Sequence, residues 1–406
     1  MIVAILSRLS SIGMAIILAN QLGPSGYGAF TYAIGIATLC SQISCLGWPM
    51  LMTRFVPQYL VKAKWGRLRG LLRNGDLVVL ISSLTCALVL FLFAKAGYLS
   101  QEISQGVFLA SLLVPSLSFL ILRRSQLASQ KKPAQGLFFS QFLPPTLMIV
   151  SSFFFFESSP KSVFYVFVGF SYISLIVALF VTHQNWPTEV FSNKASYKTK
   201  EWMMISLPLI AAVSGKMIMS KADILMLAPL SDIEEVGYYG AVYRITYLLT
   251  FAQVVLMTVL SPLISEAISQ NNIVILKQRF KIAVIASLLF SLPFGVVVLL
   301  FSEEIVMLIY GERYLPGVFA LKYLVYAQVA VTINMPLTSL MINSGKQNIY
   351  GVLTVGVLLI NLALNWVLIP LRGAEGAAIS TMVACCVSVV LGIVFSYKIL
   401  SEYPKK

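Results

Sequence analysis

The chain has 406 residues, of which 58% are hydrophobic and 11% charged, and its mean hydropathy is +0.88. Soluble domains carry about 45–50% apolar and about 25% charged residues, so a water-soluble globular protein is excluded. Apolar stretches of about 17–25 residues, in place of ~10-residue alternating strands, exclude an outer-membrane barrel too.

Twelve apolar runs predict helices that cross a bilayer. In the first half they are Ile2–Asn20, Phe30–Met52, Leu77–Ala94, Gly106–Leu122, Gly136–Phe156 and Val163–Val181. In the second half they are Met203–Leu227, Tyr239–Leu263, Ile282–Phe301, Phe319–Ile342, Ile349–Pro370 and Ala374–Tyr397. Arg8 interrupts the first run, which has no basic leader and no small-residue cleavage site. It therefore reads as a retained membrane helix and not as a signal peptide.

The loops alternate in charge. Arg54, Lys62, Lys64, Arg67, Arg69 and Arg73 follow the second run, and Arg123, Arg124, Lys131 and Lys132 follow the fourth. Lys194, Lys198 and Lys200 follow the sixth, Lys277, Arg279 and Lys281 the eighth, Lys346 the tenth, and Lys398, Lys405 and Lys406 the last. The intervening loops are neutral or acidic: 22–29 is uncharged and Ser231–Gly237 holds Asp232, Glu234 and Glu235. This is the positive-inside pattern with both termini cytoplasmic. Much of the net charge of +14 is therefore topology and a basic membrane-facing surface, and no nucleic-acid partner is implied.

The chain repeats itself weakly. Tyr27-Gly28-Ala29-Phe30-Thr31-Tyr32 enters the second run and Tyr239-Gly240-Ala241-Val242-Tyr243-Arg244 enters the eighth. Six runs after six keep the same orientation, so the halves read as parallel repeats. The expected organisation is an all-α membrane protein of about twelve transmembrane helices in two six-helix lobes. The first lobe is 1–183, a cytoplasmic linker is 184–201, and the second lobe is 202–406.

Residues for enzymatic chemistry are scarce. His183 is the only histidine, and Cys40, Cys45, Cys86, Cys385 and Cys386 fall in apolar runs without a C-x-x-C pair. The cysteines read as small buried hydrophobes. No histidine-based metal site or triad can form, so neither a catalytic role nor a cofactor is expected.

Charge inside the runs is more informative, because a charge at a helix centre costs about 2.5–3.5 kcal/mol even on insertion scales. Arg8, Lys216, Lys221 and Arg244 lie within runs, against Asp223 alone. Lys221, Arg54, Arg123 and Arg124 are placed to snorkel toward an interface. Lys216 and Arg8 are harder to explain as anything but cavity lining. Lys216 shares a helix face with Ser220 and Asp223. Arg244 has two readings, a substrate contact or an ion pair with Asp223.

On the second helix Thr31, Gly35, Thr38 and Gln42 share a face, which suits either a polar cavity or close helix packing. Asn334, Thr338, Asn361 and Asn365 read as interhelical hydrogen-bond partners or cavity lining. Pro208, Pro262, Pro293 and Pro336 mark bends. A cavity with this excess of cations attracts an anion, since Arg and Lys donate charge-assisted hydrogen bonds to phosphate oxygens.

Four segments carry a resemblance. Leu22-Gly23-Pro24-Ser25-Gly26-Tyr27-Gly28 resembles the turn after the first helix of bacterial polysaccharide flippases, and Lys221-Ala222-Asp223 with Val236-Gly237-Tyr238-Tyr239 resembles their seventh-helix end and next turn. Tyr310-Gly311-Glu312-Arg313-Tyr314 is similar to the element before their tenth helix. Asn365-Trp366-Val367-Leu368-Ile369-Pro370 followed by Gly373-Ala374-Glu375-Gly376-Ala377-Ala378 is similar to a late hairpin. Together they resemble the Wzx-like oligosaccharide flippases of the MOP (multidrug/oligosaccharidyl-lipid/polysaccharide) superfamily. Asn20 and Gln21 stand where those proteins often have arginine, so any role of that arginine does not transfer.

The resemblance implies a transporter in the bacterial cytoplasmic membrane that flips undecaprenyl-pyrophosphate-linked oligosaccharide for O-antigen, capsule or exopolysaccharide. Its partners would be that lipid-linked oligosaccharide, membrane lipids and a polymerase or other pathway protein. Arg8, Lys216, Lys221, Arg244, Gln42 and Thr38 are the candidate substrate-binding residues. Two rivals stand beside this reading. A cation-coupled multidrug antiporter would want a carboxylate deep in a lobe, and Asp76, Glu102 and Glu157 in the first half lie at run ends or in loops. A membrane-embedded polymerase would want catalytic carboxylates on a sizeable external loop, and a scaffold gains nothing from burying Lys216.

Overall fold

The computed structural model describes residues 2–97, 100–153, 160–270 and 272–402, with the side chains at 160, 207–217, 219, 248–252, 255 and 402 outside that description. Every described element is helical. The chain divides into two compact units, Met1–Lys221 and Ala222–Lys406.

The first unit begins with α1 (Ile2–Ser44), a double-length helix broken at Gly23, where φ is 67° and ψ 178°. Pro24 causes the break: it lacks an N–H and disfavours helical geometry in the residue before it, and only glycine adopts this φ without strain. A turn at 45–47 leads to α2 (Trp48–Val61), whose entry at Gly47 has φ 75°. Then come α3 (Trp65–Lys95) and α4 (Gln101–Ser129). Next are α5 (Pro133–Leu137), a π-helical turn (Phe138–Phe142) and α6 (Leu143–Ser152), which run on as one helical stretch with Pro144 and Pro145 at its join. The helices α7 (Pro160–Gln184) and α8 (Thr188–Ser192) follow, and α9 (Thr199–Leu230) begins in this unit and ends in the next.

One core of this unit joins α2 and the first turns of α3 to the segment after α7. Trp48, Leu51, Met52, Val56, Leu68, Leu71, Val190 and Trp202 are fully buried together, and the Trp48 and Trp202 rings meet edge-on at 6.2 Å. Residues 193–199 cross α3 over two glycines one turn apart. A Cβ on Gly66 would stand 2.6 Å from the Lys194 carbonyl oxygen, and one on Gly70 2.1 Å from that of Ser196. The Ser196 N–H donates to the Gly66 carbonyl at 2.8 Å, Arg69 donates to the Asn193 carbonyl at 2.7 Å, and Asn74 donates to Thr199 Oγ1 at 2.9 Å. The segment expected to link two lobes is thus held by backbone contacts in the first unit.

The second unit contains α10 (Ile233–Ser269), α11 (Ile273–Leu300), α12 (Ser302–Tyr310), a 3₁₀ turn (Glu312–Gly317), α13 (Val318–Asn343) and α14 (Gln347–Glu402). The last is again double-length, broken at Gly373 with φ 53° and ψ −129°. A Cβ there would lie 2.5 Å from Glu235 Oε2, and that carboxylate accepts the Ala374 N–H at 2.7 Å, capping the second arm of the helix. Gly376 lets the two arms close up, since a Cβ on it would stand 2.2 Å from the Leu368 carbonyl oxygen.

Seven helices among the described residues are long and apolar enough to cross a membrane by length and composition, and α1 and α14 are two of them. The expected apolar runs fall in helix, with three differences. The second is cut by the turn at 45–47, which frees α2 as a separate short helix; the fifth passes beyond α6 into residues outside the description; and Phe301 caps α11. The cysteines are less uniform than expected: Cys45 is buried, Cys40, Cys86 and Cys385 are half-buried, and Cys386 is exposed.

Candidate functional site: an oxygen-lined carboxylate and the intramembrane cations

The densest polar cluster of the second unit surrounds Asp223, near the end of α9. Its Oδ1 accepts from Asn365 Nδ2 at 2.7 Å and Asn361 Nδ2 at 3.4 Å; its Oδ2 accepts from the Tyr239 hydroxyl at 2.5 Å and Thr381 Oγ1 at 2.6 Å. Asn361 and Asn365 sit one turn apart on the first arm of α14, Thr381 on its second arm, and Tyr239 on α10. These donors are all neutral, so they stabilise the carboxylate without cancelling its charge. The Asn361 side-chain oxygen accepts from Asn365 at 3.3 Å, while the buried Asn365 Oδ1 has no hydrogen-bond partner. An unpaired buried acceptor costs about 1–3 kcal/mol.

Asp223, Asn361, Asn365, Thr381 and Tyr239 together present the carboxylate, amide and hydroxyl oxygens that hard cations prefer. The set can hold a monovalent cation if the asparagine side chains flip and the hydroxyls rotate to aim their oxygens inward. A ring stack leads away from it along α10. Tyr239 and Tyr243 lie 5.9 Å apart at 13° between planes, and Tyr243 and Tyr247 lie 6.3 Å apart.

The structure spreads the expected binding residues over both units. Arg8 is exposed on the first arm of α1, and its charge acts on Arg124 of α4, so two cations share this part of the first unit. Thr38 and Gln42 lie one turn apart and half-buried on the second arm of α1. The Thr38 hydroxyl bonds back to the Ile34 and Gly35 carbonyls at 2.8 and 3.0 Å. Lys221 is half-buried and closes the first unit, and Arg244 is half-buried on α10 of the second. Lys216 lies in α9, with its side chain outside the described residues.

Arg123 requires a correction. It does not snorkel: it is buried, donates to Asp76 Oδ1 and to Gln126 Oε1, each at 2.6 Å, and lies over the Phe119 ring at 5.8 Å. The cause is its position on the face of α4 that packs against α3, where Asp76 sits. Arg54 does stay exposed, over Phe55 at 5.4 Å. The interhelical role expected of Asn334, Asn361 and Asn365 is realised, Asn334 donating to Ser388 Oγ at 2.7 Å. Sequence reading did not join Asp223 to Asn361, Asn365 and Thr381, because 138 to 158 residues separate them. The signal present was the pair of asparagines four apart in an apolar helix.

Long apolar helices, two of them broken at Gly23 and Gly373, make up the fold, and the families and the relative it matches support a MOP superfamily protein, flippase-like in type. A family model described as "Polysaccharide biosynthesis protein" matches residues 1–268, and the chain belongs to that family. A second family model, MatE, matches residues 208–367. The lipid II flippase MurJ of Bacillus subtilis (strain 168) is 24% identical, over 97% of this chain and 82% of that protein.

Solved structures share the fold. A multidrug resistance MATE family transporter of the MOP superfamily, inward-facing, superposes with a TM-score of 0.79 at 15% identity, over 98% of this chain and 96% of that one. The lipid II flippase MurJ in an inward closed conformation superposes with a TM-score of 0.76 at 18% identity, over 98% of this chain and 87% of that one.

Proposed function

We propose that this protein flips an undecaprenyl-pyrophosphate-linked oligosaccharide across the bacterial cytoplasmic membrane for surface polysaccharide synthesis. The observation that carries this reading is the polysaccharide-biosynthesis match over residues 1–268. Arg8, Lys216, Lys221, Arg244, Thr38 and Gln42 all lie within that range, and the relative named as a lipid II flippase is similar over 97% of the chain.

In this reading the broken helices α1 and α14 each contribute two spans, α5 to α6 contribute one, and α3, α4, α7, α9, α10, α11 and α13 one each. That makes twelve, in lobes 1–183 and 202–406 joined by 184–201, with the basic loops and both termini cytoplasmic. The cations Arg8, Lys216, Lys221 and Arg244 bind the pyrophosphate through charge-assisted hydrogen bonds. Thr38 and Gln42 face the sugar, the lipid tail stays in the bilayer, and the lobes expose the cavity to one leaflet and then the other. A polymerase or another pathway protein takes the exported unit.

Asp223 and its ring of amide and hydroxyl neighbours supply the site of the driving ion, a monovalent cation. The same cluster, with the MATE-type fold, also supports a second reading, a cation-coupled multidrug antiporter. Liposomes carrying a fluorescent lipid-pyrophosphate oligosaccharide separate the two. Leaflet exchange by the wild type that falls at least about tenfold, or ~1.4 kcal/mol, in Lys216→Ala with Arg8→Ala is the expected result. Absence of wild-type exchange, together with gradient-driven uptake of a cationic dye, would replace the flippase with the antiporter.

A further inference from the structure

The Asp223 cluster does not end the polar character of the second unit. Thr381, Cys385, Ser388 and Gly392 follow one another at helical spacing on one face of the second arm of α14. Thr381 donates to Asp223 at 2.6 Å, and Cys385 lies within reach of the Asp223 charge. Ser388 Oγ accepts from Asn334 Nδ2 at 2.7 Å. The oxygen of that amide, Asn334 Oδ1, is buried without a partner, and a Cβ on Gly392 would stand 2.9 Å from it.

Around this oxygen is a small cavity, lined among others by Asn334, Thr338, Tyr350, Thr354 and Ser388, with room for about one water molecule. On the facing arm of α14, Thr354, Asn361 and Asn365 share one face in the same way. Orphaned amide oxygens therefore lie at both ends of one seam, Asn365 Oδ1 beside Asp223 and Asn334 Oδ1 in the cavity. Val357, between Thr354 and Asn361 in sequence, and Ala384, between Thr381 and Cys385, are each 2% exposed.

We infer that this seam is the route by which the monovalent cation bound at Asp223 exchanges with the cytoplasm, through the second unit itself and past Cys385, Ser388 and Asn334. From Thr381 to Gly392 the face covers ~16 Å at 1.5 Å per residue, about half of a ~30 Å hydrocarbon core. The cavity lies beside Tyr350 in the first turn of α14, just after Lys346 in a basic loop. The cavity has room for about one water molecule, and Gly392 lets Asn334 and Leu337 pack closely along the seam, so the ion passes as these two side chains give way. The inference rests on the reading of Asp223 as the coupling-ion site.

The native thiol of Cys385 makes the route testable. In a full-length variant with Cys40, Cys45, Cys86 and Cys386 replaced by alanine, silver ion in chloride-free buffer serves as a monovalent probe. It forms an S–Ag bond at Cys385 and releases the thiol proton. Labelling is compared in vesicles exposing the basic loops and in vesicles exposing the opposite face. Melting of the purified protein in sodium and in choline reports binding at Asp223, with Asp223→Asn as the control.

The expected result is cation-dependent stabilisation that Asp223→Asn removes, with Cys385 labelled from the basic-loop face. Ser388→Val and Gly392→Ala should each slow that labelling about tenfold while leaving the stabilisation intact; Ser388→Val keeps the test available if Gly392→Ala fails to fold. A sodium response identifies sodium as the ion. Stabilisation lost in Asp223→Asn but labelling unaffected by Ser388→Val, or arriving from the opposite face, would overturn the route and leave Asp223 as the ion site. No cation response in the wild type would overturn both.

Discussion

The two units treat buried charge in opposite ways. In the first, Arg123 meets Asp76 at 2.6 Å, so the opposite charges cancel and fix α4 against α3. In the second, the hydrogen bonds to Asp223 come from two amides and two hydroxyls, so the helices are joined through neutral donors. Glu235 likewise spends its carboxylate on the Ala374 N–H. Ion pairs in the second unit, Glu266 with Arg279 and Arg372 with Glu375, each join one exposed and one half-buried side chain. The difference teaches where movement is chemically possible. A paired charge is a fastener, whereas a carboxylate surrounded by neutral dipoles can exchange its donors for a cation.

The largest effect that breaks this contrast is expected from Asp76→Ala, which leaves a buried guanidinium uncompensated and costs about 3 kcal/mol. Thermal unfolding of the purified protein should show it, and adding Arg123→Met should recover most of the loss. Recovery absent in the double variant would mean that the pair is not the fastener.

Gly373→Ala tests the acid that caps α14: the new Cβ enters a positive-φ position 2.5 Å from Glu235 Oε2, and about 2 kcal/mol should be lost. Glu235→Gln should lose less, because the amide oxygen still accepts the Ala374 N–H. Asp223→Asn sharpens the contrast from the other side. Folding should be nearly preserved, since the neutral donors retain an acceptor, while cation-stimulated leaflet exchange falls at least about tenfold, ~1.4 kcal/mol. The smallest effect is expected from Thr381→Val, which removes one of four donors, costing about 1 kcal/mol in the melting transition and weakening cation stabilisation.

The first of these contrasts is only partly visible in sequence. Arg123 follows an apolar run and looks like an interface anchor, and Asp76 precedes one and looks like a loop acid. Each assignment is reasonable for a helix considered alone; the packing of α3 on α4 buries Arg123 and brings the half-exposed Asp76 onto it. The asparagines at 361 and 365 were recognised as hydrogen-bonding residues, but their acceptor was out of view on α9.

Local chemistry by itself determined a good deal. Apolar runs dictate helices because a bilayer offers no partner for an unpaired backbone group. Gly23-Pro24 and Pro370 to Gly373 dictate breaks because proline lacks a donor and glycine alone tolerates the φ that follows. Both follow from residues adjacent in the chain. What only the tertiary structure decided is which polar groups meet: Arg123 with Asp76, the 193–199 segment on Gly66 and Gly70, and Asp223 with Tyr239, Asn361, Asn365 and Thr381. The physical reason is that helical periodicity assigns each residue a face but not the neighbour that face will find, and hydrogen bonds over 138 residues carry no local signature.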